Sequence, residues 1–205
     1  MNTFLKQSLT LAALLLVSLS FVSSANAEGL RIRGEITALS NNVASIETPS
    51  GQHIDVFLAP HVTVLLFKDV SFEDIPSNAY LSIPSVPAGP NKRRALGINI
   101  FPEGMRGANE GLSDWDLTSD SKMTNATLAK VISTNGKNNR ELLVSFAGET
   151  QQILVPEGTQ ITSFSPTDKI TITVGQKVVI FAQVADGKLT GGLVGIHENG
   201  ELPPI

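Results

Sequence analysis

Between Phe101 and Thr127 the chain carries five carboxylates, Glu103, Glu110, Asp114, Asp116 and Asp120, in a segment with little hydrophobic periodicity. Hard cations take oxygen ligands of this kind, so the first chemistry to weigh is a Ca2+ or other divalent-cation site built from Glu103, Glu110, Asp114 and Asp116. A calcium loop needs donors at strict alternate positions, a glycine for the sharp turn and a distal glutamate. Asp114-Trp115-Asp116-Leu117-Thr118-Ser119-Asp120 begins that spacing but places Trp115 and Leu117 inside it. The plainer reading is a solvated acidic loop. Transition metals have weaker support. His53, His61 and His197 are expected on different strands, and neither a close histidine pair nor a cysteine cluster exists.

Catalytic patterns are thin. The chain has no G-x-S-x-G elbow, no H-E-x-x-H and no cysteine nucleophile, and no serine or threonine sits beside a histidine in sequence. Glu103 and Glu110 form a possible carboxylate pair, but a glycosidase also needs a cleft and aromatic platforms for the sugar. Nine Phe against one Trp and one Tyr reads as core usage. The single basic cluster, Gly89 to Arg94, reads as a solvated hairpin tip rather than an anion site. The expectation is a protein that is not an enzyme and needs no cofactor.

The elements that would position these groups are strands. Apolar and polar residues alternate in Ile32-Arg33-Gly34-Glu35-Ile36, in Ile54-Asp55-Val56-Phe57-Leu58 and in Leu96-Gly97-Ile98-Asn99-Ile100. Turn residues fall between such runs at Ser40-Asn41-Asn42, Ser50-Gly51, Asn135-Gly136 and Asp186-Gly187. The best helical turn is Ser71-Phe72-Glu73-Asp74, a short capping box. The halves also echo each other: Val56 to Val64 matches Ile153 to Ile161 with Pro60 on Pro156, and similar strands and turns follow each. The reading is therefore all-β, with two tandem small OB-like β-barrels arising from an internal duplication. The first barrel is expected over 28–101, a long ordered connector over 102–123, and the second barrel over 124–205.

The N-terminus reads as an address. Lys6 precedes an apolar run from Leu9 to Val22, and Ala25-Asn26-Ala27 fits a small-x-small cleavage pattern. The run is too short to span a bilayer, so residues 1–27 read as a signal peptide and the mature chain as periplasmic, beginning at Glu28. Losing Lys6 makes the formal net charge of −4 one unit more negative. That balance argues against a nucleic-acid partner. No later apolar stretch approaches the length of a membrane span. Without cysteine there is no disulfide framework, and the fold rests on its core.

The connector itself is not composed like a free linker. Phe101, Met105, Leu112, Trp115, Leu117 and Met123 recur through it, and large apolar groups gain nothing by staying in water. They are expected to anchor the segment across the barrels, with Trp115 largely buried and Arg106 paired to an acid. Phe101-Pro102-Glu103, Met105-Arg106-Gly107, Glu110-Gly111, Trp115-Asp116-Leu117 and Met123-Thr124-Asn125-Ala126 resemble the central pattern of a family of small exported proteobacterial proteins of unknown function. The likeness extends over nearly the whole mature chain but is specific only here. It implies tandem small β-barrels and brings no known activity. A histidine often follows the Glu-Gly pair in that pattern, and this chain has Leu112. Members are often labelled metal-transporter permeases, a label at odds with a chain that offers no span after its signal.

Together these readings make the protein an exported, non-enzymatic binding or envelope-accessory module, its partner an unidentified periplasmic protein or small ligand. The residues expected to matter are Phe101, Glu103, Arg106, Glu110, Trp115, Asp116 and Asn125. Divalent-cation binding by the connector carboxylates is the alternative.

Overall fold

The alternating stretches become strands, and their period decides which side chains enter the cores. The computed structural model describes residues 29–134 and 140–205. The signal segment, the cleavage site before Glu28 and the Asn135-Gly136 turn lie outside the described residues. Thirteen strands and two single-turn 3-10 helices make up the described chain. The strands are β1 (Leu30–Ser40), β2 (Val43–Glu47), β3 (His53–Asp69), β4 (Tyr80–Gly89), β5 (Lys92–Ala95), β6 (Ile98–Ile100) and β7 (Gly111–Asp114). After them come β8 (Lys122–Thr134), β9 (Arg140–Phe146), β10 (Glu149–Val155), β11 (Ile161–Thr167), β12 (Lys177–Ala185) and β13 (Lys188–His197). The fold is all-β. Among the described residues no helix is long and apolar enough to cross a membrane.

The pairing differs from the expected tandem order. One closed five-stranded barrel runs β1–β2–β3–β13–β12 and back to β1, every contact antiparallel except the parallel pairing of β3 with β13. Its strands come from both ends of the chain. A second five-strand circuit runs β8–β9–β10–β5–β4 and back to β8, with β10 and β5 parallel. The segments 28–101 and 124–205 are therefore interleaved: each supplies three strands to one circuit and two to the other. Pattern and turns reveal strands but not their partners, so the expected boundaries assumed that sequence neighbours pair.

Each circuit encloses its own apolar cluster. Ile36, Ala44, Ile46, Val56, Val178, Ile180 and Val194 fill the first. Leu81, Ile83, Leu142, Val144, Ile153 and Val155 fill the second. Space is tight where β1 crosses β2: a Cβ on Gly34 would sit 2.2 Å from the carbonyl oxygen of Glu47, so only glycine fits. Two strands bridge the circuits. β11 pairs with β3 on one side and β6 on the other, and β6 pairs with β4. At this bridge Asn99, fully buried, accepts a hydrogen bond from Thr162 Oγ1 at 2.8 Å and donates to the carbonyls of Ser82 and Pro204. A third cluster, including Leu65, Phe67, Phe164, Val179 and Ile205, packs between the circuits.

Several local expectations need correction. His53 and His61 share the single long strand β3 instead of lying on different strands, while His197 ends β13. The basic cluster does form the β4–β5 turn, with Asn91 at φ 52°, but it is not wholly solvated. Arg93 is buried and donates to the Ser85 hydroxyl at 2.9 Å and the Ser85 carbonyl at 2.7 Å. At Ser71 the hydroxyl bonds the Asp74 carboxylate, and the turn that follows is 3-10 rather than α.

Candidate functional site

The segment 102–123 does not join the two circuits. It links β6 to β8, folds back as β7 against the first residues of β8, and lies over the seam between the circuits. Its path is fixed by local bonds. Pro102 leads into a 3-10 turn at Glu103–Met105, and Arg106 donates both to the Glu103 carboxylate, at 2.6 Å, and to the Asn78 carbonyl. That pairing was expected. Asn125, on β8, donates its amide to the carbonyls of Ala108 and Asn109. Tyr80 donates to the Ala108 carbonyl at 3.1 Å. Burial raises the Tyr80 pKa, and Glu110 adds to that while Arg106 opposes it, so the phenol remains a donor. Beyond β7 the loop closes on Ser121, whose hydroxyl bonds the carbonyls of Trp115 and Thr118.

The far end of the segment reaches the other barrel. Asp116 accepts from Arg31 Nε at 3.0 Å and Arg33 Nη2 at 2.8 Å, both on β1. Arg31 also stacks its guanidinium 3.9 Å from the centre of the Trp115 ring. Burial alone would raise the Asp116 pKa; the hydrogen bond and charge of Arg33, helped by Arg31, overcome that and lower it. A cation over an aromatic face and a doubly held carboxylate are together a clasp. The ring is half-buried, less than the sequence led us to expect, because it lies at the edge of the seam. Leu112 departs further: it is 43 % exposed on β7.

Beneath this segment is a cleft of about 540 Å³. Phe67, Phe101, Phe164, Phe181, Leu65 and Leu193 form its apolar floor. Three of these phenylalanines belong to a continuous run of rings. Phe67 and Phe164 are 5.2 Å apart, Phe164 and Phe101 are 5.1 Å apart, and Phe101 and Tyr80 are 5.1 Å apart. The roof is residues 108–115, with Met105 at one side. Among the described residues Trp115 Nε1 and Asn125 Oδ1 have no hydrogen-bond partner, and both atoms are closed off beneath the cleft lining, the latter on a residue only 7 % exposed. Cavities of this size with apolar walls and few polar groups are the usual form of a small-molecule site.

Phe101, Glu110, Trp115 and Asn125, singled out from sequence, all line this cleft. Asp116 and the Glu103–Arg106 pair hold its roof instead. The four candidate metal ligands are not brought together. Glu103 pairs with Arg106, Asp114 with Lys122 at 2.5 Å, and Asp116 with two arginines, while Glu110 accepts the N–H of Ala147. Among the described residues no group of three His, Cys, Asp or Glu side chains is placed to hold a metal ion.

Sequence reasoning missed Arg31, Arg33, Phe67, Phe164, Phe181 and Leu193. The two arginines stood in or beside an alternating run with no signal of their own, and the others looked like ordinary core residues. In comparisons with known proteins the chain matches no family model, no curated protein and no solved structure.

Proposed function

We propose that this protein is an exported binding module that holds a small apolar ligand in the cleft under residues 102–123. One observation carries the reading: an apolar cleft of about 540 Å³ at a seam, roofed by a segment that is pinned at both ends. Holding rather than transforming fits the groups present. Ser82 donates to Met123 Sδ, and Glu110 is engaged with a backbone N–H, so neither forms a nucleophile–base pair. The signal-like first 27 residues and the family resemblance of the connector support export to the periplasm.

The strand order supports a further part of this reading. Both circuits follow the order first, second, third, fifth, fourth, with the third and fifth strands parallel, if β1–β2–β3 is completed by β12–β13 and β8–β9–β10 by β4–β5. That is the connectivity of an OB-like barrel. The two units are copies that exchanged their last two strands, with Phe67 facing Phe164 across β3 and β11 where the copies meet.

The test uses N-phenyl-1-naphthylamine, whose emission rises in apolar surroundings and which accepts energy from tryptophan. Saturable binding with energy transfer from Trp115, lost in a folded Leu193→Arg variant, is the expected result. Probe binding that ignores Leu193→Arg contradicts the cleft.

A further inference from the structure

Beyond β13 the chain turns at Gly200 and lays residues 202–205, Leu-Pro-Pro-Ile, into the seam between the circuits. Ile205 is 6 % exposed and packs with Leu65, Phe67, Phe164 and Val179, so it forms one wall of the cleft. Leu202, three residues earlier, lines a second cavity of about 480 Å³ beside Gly34, Glu47 and Lys177. The four residues therefore run from one cavity to the other.

This stretch is buried like a core element but is not fastened like one. The floor strands β3, β11, β12 and β13 are each paired on both sides. Among the described residues no strand pairs with 202–205, and no backbone–backbone hydrogen bond ties it to the rest of the chain. Its two prolines carry no N–H, and the Ile205 N–H bonds the Pro203 carbonyl within the stretch itself. Arg33 Nε donates to the Ile205 carbonyl at 2.6 Å and Asn99 Nδ2 to the Pro204 carbonyl at 3.4 Å. Apolar burial does the rest, and it must offset the conformational entropy of ordering the stretch without help from a ladder. A proline-containing segment laid in an apolar groove is the arrangement by which recognition domains hold separate peptides. Here the groove is cut to fit: a Cβ on Gly97 would stand 2.9 Å from the Pro204 carbonyl oxygen and 3.0 Å from the Pro204 Cβ.

We propose that residues 202–205 are a displaceable plug, a peptide docked in cis whose departure opens the cleft toward the second cavity. The inference rests on the cleft being a binding site and adds what controls access to it. Ligand and plug exclude each other, because Ile205 fills part of the space the ligand needs. Arg33 links the plug to the roof, since its Nη2 holds Asp116 while its Nε holds Ile205.

The experiment measures N-phenyl-1-naphthylamine binding to three proteins: the mature chain, a variant lacking residues 202–205, and Gly97→Ala. Gly97 has an ordinary backbone conformation, and after Pro204 the next neighbour of the new methyl is the Gln160 carbonyl oxygen at 3.8 Å, so the substitution strains only the plug. Both altered proteins should bind the probe at least about tenfold tighter, the gain expected when the plug is docked for about nine-tenths of the time or more. The capped peptide acetyl-Glu-Leu-Pro-Pro-Ile-amide, at millimolar concentration to match a short tether, should reverse the gain in the truncated protein but not in Gly97→Ala, whose groove is blocked. A gain that the peptide leaves in place in the truncated protein marks general loosening and overturns the plug. Equal affinity in all three proteins, or weaker affinity in both variants, overturns the plug and leaves the cleft reading standing. No binding by any of the three overturns both. Where the truncated protein does not fold, Gly97→Ala against the mature chain decides.

Discussion

Trp115 and Asp116 share one task, and their energetics separate what each contributes. Trp115 covers the edge of the seam and carries Arg31 on its face, 3.9 Å from the ring centre. Full burial of a large aromatic makes truncation cost about 3–5 kcal/mol. Trp115 is half-buried, so Trp115→Ala should cost about 2–3 kcal/mol, read by denaturant unfolding, with the cation–π contact as part of the loss. Asp116 is different because its side chain is 40 % exposed, so solvent screens its ion pairs and their worth stays under about 1 kcal/mol. Its folded pKa is lowered by the arginines against the opposing effect of burial. A depressed carboxylate contributes stability that is present above its unfolded pKa of about 3.9 and disappears as pH falls through the folded value. Asp116→Asn should therefore be less stable than wild type at pH 7, and the gap should close progressively below about pH 4. A gap that stays constant down to pH 2 would mean the carboxylate charge is not what holds the clasp.

At the scale of elements, the strands were legible and their partners were not. Ile36, Val56, Ile98 and Ile100 are buried at alternate positions of the runs the sequence marked. The turn at Ser40-Asn41-Asn42 appears with positive φ at both asparagines, as a tight hairpin turn requires. The segment 102–123 was recognised as ordered because it repeats large apolar residues, and it does carry a strand. That β7 pairs with β8 was not visible, since its four residues have no alternation of their own. The order of the segment can be tested by limited trypsin digestion. Lys122 lies in β8, paired to β4 on one side and β7 on the other, and should resist. Arg106 lies in the exposed loop and should be cut first, slowly, because its side chain is held by Glu103 and Asn78. Cleavage at Lys122 before Arg106 would contradict the β7–β8 pairing.

The whole molecule is where sequence and structure part most. A repeat pattern gives equivalent strands but cannot tell whether β4 and β5 close on the strands just before them or on those that follow. The choice is made by long-range pairing, such as Tyr80 opposite Thr127 and Leu30 opposite Ala182, for which no local pattern exists. Interleaving has a consequence for the trypsin experiment: the two pieces should stay together through gel filtration without denaturant, since each completes the other's circuit. The cleft was illegible for the same reason, its floor being drawn from β3, β11, β12 and β13 and its roof from the segment before β8. Because the chain has a single tryptophan, one indole N–H resonance reports on this site alone. A nitrogen–proton NMR titration with N-phenyl-1-naphthylamine should move that resonance saturably, together with the Asn125 side-chain amide, while amides facing the two barrel interiors stay in place. Saturable binding that leaves the Trp115 indole unmoved would place the ligand elsewhere and contradict the claim that residues 102–123 roof a binding site.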